Sequence, residues 1–399
     1  MPSLTRRNIL TGAAAAAPLI VKPRTAFSAA ANSAVSFGII GTGGRGRYVG
    51  GLMIKDPEAR IAAICDKYAD RIDLGKTELP GAASVPAYRD YHELLNDKNV
   101  DAVLIATPVF LHPEHYEAAI LSGKHVYCEK PAGADVAGVK RMLAAWQKRK
   151  PEQKIQFGFQ QRYSPQYLKA HSYLTTGKIG DMKLMMSYWV LGYLPPAMPK
   201  AAPASSGTEE DKIRRWGAWN QYSGGPMIEQ DCHGIDTINW FGGDHHPLTA
   251  VARGGVRYPI PYGDWYADHY DVIYNYPDGV EGWLISIKHT AGYRDVKEQF
   301  YGSRGMLETS RKYFALHGMT PDVRYKSADD LRDTSTMEKE ESEGDITAAA
   351  VRHFFGCIKQ DKPIDMTRTS CDSTLTAILG RMALETRREV SWEEMMRSA

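Results

Sequence analysis

Two groups of residues in this chain have the types and spacing to do chemistry. The first is Gly41-Thr42-Gly43-Gly44-Arg45-Gly46, a G-x-G-x-x-G frame directly after the apolar run 35–40. A second apolar run, 60–65, ends at Asp66, twenty positions beyond Gly46. Strand, glycine loop, helix, strand and acid is the order that binds a dinucleotide. Gly41 permits the tight turn, Gly43 lets the backbone approach a pyrophosphate, and Gly46 lets the helix pack closely on the strand. Gly44 and Arg45 complete the loop, and the helix that follows offers unpaired amides and the positive end of its dipole to the phosphates. Asp66 is placed to bind ribose hydroxyls. A carboxylate there repels a 2′-phosphate, so NAD is expected over NADP, with Arg45 or Lys67 able to soften that preference.

The second group is acid–base. Oxidising a secondary alcohol removes a proton and a hydride, so a base must stand at the hydroxyl beside a rigidly held nicotinamide. Lys130 lies between Glu129 and Pro131 at the end of an apolar run. Crowding and burial there are expected to lower its pKa towards neutrality, which would let it orient the hydroxyl and relay its proton. The alternative is a surface lysine paired with Glu129. His233 sits in a helical stretch, 227–241, that puts Glu229, His233 and partly Asp236 along one face. A carboxylate one turn away would fix the imidazole ring. Its alternative is a structural histidine bridging to Asp236, and Asp231 points to another face.

These groups need elements to position them. Strands and helices alternate to about residue 150, the pattern of a doubly wound parallel sheet. The run 100–106 is a buried strand ending at Thr107-Pro108, 112–121 a helix stopped by Gly123, and 125–128 the next strand. His112, with Thr107 and Pro108, is expected to line the adenosine or nicotinamide side of the cleft. From Lys154 the period changes, and 154–159, 182–189, 271–276 and 282–287 read as strands of a mainly antiparallel open sheet, an α+β unit. Residues 195–215, rich in Pro, Ala and Ser, read as a loop over the site, and 346–360 and 369–386 as helices. The expected division is a leader 1–31, a dinucleotide-binding domain 34–152, a substrate domain 153–345 and a helical tail 346–399 that packs back on the nucleotide domain. Asp268-His269 could reach the substrate from a neighbouring strand, and Trp216 and Trp219 either stack on a sugar or belong to the core.

The leader carries Arg6-Arg7 ahead of an alanine-rich, mildly apolar stretch, as in a twin-arginine export signal. Its apolar part, 9–21, is broken by Thr11, Gly12 and Pro18 and is too short for a hydrocarbon core of about 30 Å. Cleavage is expected near residues 26–29 or 29–31, with a periplasmic or secreted product. The other reading is an N-terminal extension of a cytoplasmic protein. With 399 residues, 43% of them hydrophobic, the chain has room for two domains, and a net charge of +2 gives no nucleic-acid or membrane-surface signal. Five scattered cysteines form no C-x-x-C pair, and no histidine spacing matches a metal site.

The glycine loop, the segment 106–133 with its Glu129-Lys130-Pro131, GFQQRYSP at 158–165, GGPMIEQDCHGIDTINWFGG at 224–243 and YGSRGMLE at 301–308 together resemble the glucose–fructose oxidoreductase, inositol dehydrogenase and rhizopine-catabolism family of NAD(P)-dependent oxidoreductases. The resemblance covers nearly all of the chain after the leader. It implies that Glu129-Lys130-Pro131 ends a strand beside the nicotinamide, with a carbohydrate or polyol between that edge and the second sheet. It also implies that Arg162 and an aromatic, Tyr163, face the active site, core packing being the alternative for Tyr163. An acidic residue at 229 would help bind or activate the reacting hydroxyl. Relatives usually carry Asp there, and the extra methylene of Glu229 moves the carboxylate by about one bond length. Family members often form dimers or tetramers through the open sheet, where Tyr274, Tyr276 and Trp283 either face a partner subunit or fill the core. Some members are redox-neutral glycosidases that oxidise a sugar, eliminate the aglycone and return the hydride, and that remains the alternative to a dehydrogenase. A non-catalytic sensor on the same scaffold would not need Lys130 and His233.

Overall fold

The apolar runs of the N-terminal half become six parallel strands in a computed structural model that describes residues 34–191, 207–257, 263–288, 293–318 and 336–398. They are β1 (Val35–Ile40), β2 (Ala59–Cys65), β3 (Ala87–Tyr88), β4 (Ala102–Ile105), β5 (His125–Cys128) and β6 (Ile155–Phe157), in the order β3-β2-β1-β4-β5-β6. Every residue of β1 and β4 is buried, as strands covered by helices on both faces require. The order reverses between β1 and β4, which opens a crevice at the carboxyl ends of the strands. The leader, with its export and cleavage signals, lies outside the described residues.

One expectation fails here. The segment 154–159 does not open the second sheet, because β6 pairs in parallel with β5 through Val126–Ile155 and Cys128–Phe157. Three fully buried residues carry no alternation, so the sequence could not show which sheet they join.

The second sheet has nine strands: β7 (Met182–Val190), β8 (Thr249–Gly255), β9 (His269–Asn275), β10 (Glu281–Ile287), β11 (Asp295–Gly302), β12 (Gly305–Ser310), β13 (Tyr313–Gly318), β14 (Thr336–Glu341) and β15 (Val390–Ser391). Their order is β14-β13-β12-β11-β7-β10-β9-β8-β15. All pairs are antiparallel except β7 with β10. Burial alternates along β7, β9 and β10, so Met185, Ser187, Trp189, Tyr270, Val272, Tyr274, Leu284 and Ser286 face inward. Tyr274 and Tyr276 are therefore core residues, while Trp283 lies on the opposite face.

Helices cover the inner face. The helix Cys232–Phe241 is buried along its whole length, and the helix Thr367–Thr386 lies against it, β8 and β9. The same long helix touches the helix Val136–Trp146 of the first sheet. The helix Ile346–Lys359 joins the first sheet's core, placing Val351, Phe354 and Phe355 with Phe37 and Ile39. Of the segment 195–215, residues 195–206 lie outside the described residues; Glu209–Arg214 is not loop but a helix capped by Thr208. No described helix is long and apolar enough to cross a membrane.

Inside the second sheet, Glu298 of β11 has no exposed surface and accepts from the Tyr167 hydroxyl at 2.8 Å and the Thr309 hydroxyl at 3.0 Å. Burial pushes its carboxyl up to about 7. A folded state that keeps a proton the unfolded chain releases above its ordinary carboxylate range loses stability as pH rises through that window. Glu298→Gln removes the penalty. Urea unfolding at pH 5.5 and 8 should show the wild type losing about 2 kcal/mol relative to the variant between the two, and an unchanged difference would show that the carboxyl titrates normally.

Candidate active site

At the crevice, the glycines are set by contact. Gly41 holds φ +96°, and a Cβ on it would lie 2.7 Å from the Ala106 carbonyl oxygen. A Cβ on Gly46 would stand 1.9 Å from the Gly41 oxygen, so the helix Gly44–Ile54 presses its first turn directly on the loop. Gly43 and Gly44 have open space instead, which leaves bare backbone on the outer surface of the loop. That helix has no capping side chain and no acid in its first turn, so its amides and dipole are unspent. The cradle fits a pyrophosphate.

Asp66 also secures the loop. Its Oδ2 accepts from the Thr42 amide at 2.9 Å and hydroxyl at 3.3 Å, and its Oδ1 from the Tyr68 amide at 3.0 Å. The carboxylate stays half-exposed, with acceptor capacity left for ribose hydroxyls. Arg45 does not sit beside it. Its guanidinium pairs with Glu129 at 2.8 Å and donates to Gln160 Oε1 at 3.1 Å, so it is not free to receive a 2′-phosphate. Glu129 is thereby the buried counter-ion of Arg45.

Thr107 and Pro108 form the half-buried turn after β4. His112 does not line the cleft as expected; it is 1% exposed, with ring nitrogens 2.7 Å from the Pro131 carbonyl and 2.9 Å from that of Thr107. It staples the β4 turn to the segment carrying Lys130. Burial pushes its pKa down.

Lys130 reaches across to the second domain rather than back to Glu129. Its Nζ donates to Glu229 Oε1 at 3.0 Å and to the Glu229 carbonyl oxygen. The expected drop in its pKa does not occur: burial pulls it down, but the charges of Glu229, Cys232 and Glu129 and the hydrogen bond to Glu229 together outweigh that and the pKa is raised. Lys130 is an ammonium with one N–H left to donate. Glu229 stands on a π-helical turn, Met227–Asp231, that precedes the helix Cys232–Phe241, so the single α-helical face expected for Glu229, His233 and Asp236 does not form. Each takes a different partner.

His233 is buried, stacked on Trp189 with ring centres 5.8 Å apart and planes at 9°, and edge-on to Phe159 at 6.1 Å. No carboxylate holds the ring among the described residues, and Nδ1 is buried without a partner. Burial, and then the charge of Lys130, push its pKa well below the usual histidine range, so the imidazole is neutral.

Asp236 turns instead to Arg162, which donates to both its oxygens at 2.8 and 2.9 Å, while Ser373 donates at 2.8 Å. Arg162 also reaches Asp244 at 2.8 Å. The pair braces the segment after β6 to the helix Cys232–Phe241. Tyr163 likewise packs on His353, ring centres 4.7 Å apart, and bonds Met366. His269 is held by Asp268 at 2.8 Å and lines a different cavity with Arg253, Asp271, Leu384 and Arg387. Trp219 lies under the Lys212 ammonium, 5.1 Å from its ring centre.

Two features escaped the sequence reading. Trp189, stacked on His233, looked like an ordinary strand aromatic. Asp231, set aside, forms a wholly buried ion pair with Lys288 and accepts from Tyr270. The signal for that pair was a lysine at the inward position just past β10.

Residues 35–156 match the oxidoreductase family with an NAD-binding Rossmann fold, and residues 174–379 match the C-terminal alpha/beta domain of the same family. The chain belongs to this oxidoreductase family. Relatives within it include the inositol 2-dehydrogenase of Rhizobium meliloti, 25% identical over 277 residues (68% of this chain, 74% of that one). The myo-inositol 2-dehydrogenase of Thermotoga maritima is 27% identical over 271 residues (68% and 73%). The inositol 2-dehydrogenase of Salmonella typhimurium is 33% identical over 121 residues, 30% of this chain and only 35% of that enzyme. Among solved structures, scyllo-inositol dehydrogenase from Lactobacillus casei with NAD(H) and scyllo-inositol superposes with a TM-score of 0.68 at 22% identity, covering 90% of this chain and 99% of that one. A levoglucosan dehydrogenase complex with NADH and levoglucosan gives 0.73 at 16% identity, with the same coverage. These likenesses establish the shared fold.

Gly46→Ala forces a methyl into the Gly41 carbonyl, so NAD(H) affinity should fall at least about tenfold. Gly51→Ala, on the same helix with open space around it, is the control and should bind normally. Fluorescence titration with NADH checks both, and equal affinities would show that the loop tolerates displacement.

Proposed function

We propose that this chain is an NAD-dependent dehydrogenase that oxidises a secondary ring hydroxyl of a sugar or cyclic polyol. The observation that carries the reading is the ammonium of Lys130, fixed by Glu229, in electrostatic reach of a neutral His233 whose Nδ1 has no partner. NAD, when bound on the glycine cradle, supplies the acceptor for hydride.

The remaining steps belong to the protein. Two N–H groups of Lys130 are spent on Glu229, which aims the third at the hydroxyl oxygen. His233 takes the hydroxyl proton on its neutral ring, and as negative charge grows on the oxygen the Lys130 ammonium stabilises it. Glu229 acts through Lys130, as a positioning residue. The inositol and levoglucosan dehydrogenases among its relatives and fold neighbours support a ring alcohol as substrate. The paired Arg6-Arg7 supports export of the folded protein with its cofactor. The outward face of β7, β9 and β10, with Leu184, Met186, Ile273, Trp283 and Ile285 half-buried, supports association with a second copy.

Mass spectrometry of products after incubating NAD-loaded protein with inositols, sugars and glycosides tests the reading. A product lighter by two hydrogens is expected; a cleaved glycoside with no net oxidation would replace it with a redox-neutral glycosidase. Lys130→Met and His233→Asn should each lower turnover by about 10²–10⁴ while NADH binding persists, and turnover within a few-fold of wild type would remove that residue from the chemistry.

A further inference from the structure

The cations around His233 are not equally neutralised. Lys130 has Glu229 and Arg45 has Glu129. Arg311, whose charge also reaches His233, has no ion pair among the described residues. Its guanidinium lies 5.7 Å from the centre of the Trp189 ring, the ring on which His233 stacks. Glu298, a carboxyl on which its charge acts, is buried and bonded to Tyr167 and Thr309 instead.

The backbone under Arg311 is fixed. It sits in the turn between β12 and β13, where Ser310 Oγ accepts from the amides of Lys312 and Tyr313, each at 3.1 Å. Gln166 Nε2 donates to the Arg311 carbonyl at 2.7 Å, which ties this turn to the segment just after Gln161. The side chain, by contrast, is exposed.

A second observation is independent of that charge. Trp189 is 6% exposed, and its indole Nε1 is buried with no acceptor. Gln161, 1% exposed, has neither amide atom bonded. An orphaned buried donor costs stability unless a ligand completes it. Among the described residues the Arg311 guanidinium has no ion pair and stands over the face of a ring whose own N–H lacks an acceptor, and a carboxylate is the group that accepts two-pronged from an arginine.

We infer that the ring alcohol oxidised here carries a carboxylate, a uronate-type sugar acid, held by Arg311 and the Trp189 N–H. This rests on the proposed dehydrogenase reading for the location of the substrate, and it goes further in naming the substrate class. Lys130 and His233 hold the reacting hydroxyl while Arg311 fixes the far end of the ring.

The test compares pairs that differ only at C6, D-glucuronate with D-glucose and D-galacturonate with D-galactose. Turnover with NAD is read by NADH absorbance, and binding to NADH-loaded protein by calorimetry. In at least one pair the uronate should be favoured about tenfold or more in kcat/KM and in affinity. Arg311→Gln should collapse that ratio to about twofold, Arg311→Lys should keep part of it, and Trp189→Phe should weaken uronate binding to the NADH-loaded protein. NADH affinity should not move in any variant. No uronate preference in either pair, or one that survives Arg311→Gln, overturns the inference. Arg311-dependent uronate binding with no oxidation of any sugar would uphold the carboxylate site and overturn the dehydrogenase reading; oxidation of neutral sugars without uronate preference would do the reverse.

Discussion

The contact on which the site depends is the ion pair between Lys130 and Glu229, because it joins the carboxyl end of β5 to the π-turn of the second domain. Each side alone would be costly. A buried ammonium without its carboxylate loses several kcal/mol of solvation with no return, of the order of 3–5 kcal/mol when one partner of such a pair is removed. Together they keep Lys130 charged and direct its remaining N–H. The pair therefore sets protonation and geometry in one contact, and it forms only when the two domains are packed together.

The π-turn makes that contact possible. A helix hydrogen-bonded at i→i+5 is wider than an α-helix, so Glu229 leaves the face it would share with His233 and presents carbonyl and carboxylate to the same ammonium. On its other side Asp231 is anchored to Lys288 and Tyr270 below the surface. Burial pulls Lys288 down and pushes Asp231 up, so this pair holds position at an energetic cost, and its removal from one side only would leave an uncompensated charge. The extra methylene of Glu229, compared with an aspartate, fits a carboxylate that reaches across to Lys130.

Much of this was legible in the sequence, and the failures have a common cause. The glycine loop, Asp66 and the strands around them were readable because backbone geometry dictates residue type there: φ and close approach demand glycine at 41 and 46. The antiparallel strands were readable from alternation. Partner choice was not. Arg162, Tyr163, Asp236 and His112 all lie in motifs that resemble family site elements, yet each is committed to a bond with a residue distant in sequence or to backbone. Periodicity assigns a face but not the group opposite it, and a π-turn breaks even the face assignment.

That distinction bears on how His233 works. A histidine fixed by a carboxylate gains basicity, and its pKa moves up towards the working range. Here the carboxylate one turn away has been taken by Lys130 and the one on the next turn by Arg162, so among the described residues the ring meets aromatic faces and positive charge. It stays neutral and ready to accept, but its conjugate acid is unstable. In the proposed reaction, proton transfer to it is favourable only while the substrate oxygen is held by the ammonium, since the negative charge growing there offsets the charge arriving on the ring. The same field that keeps His233 neutral in the free protein would, in the proposed reaction, tie its basicity to a bound alcohol, and that reaction depends on Lys130 staying charged rather than on its becoming a base.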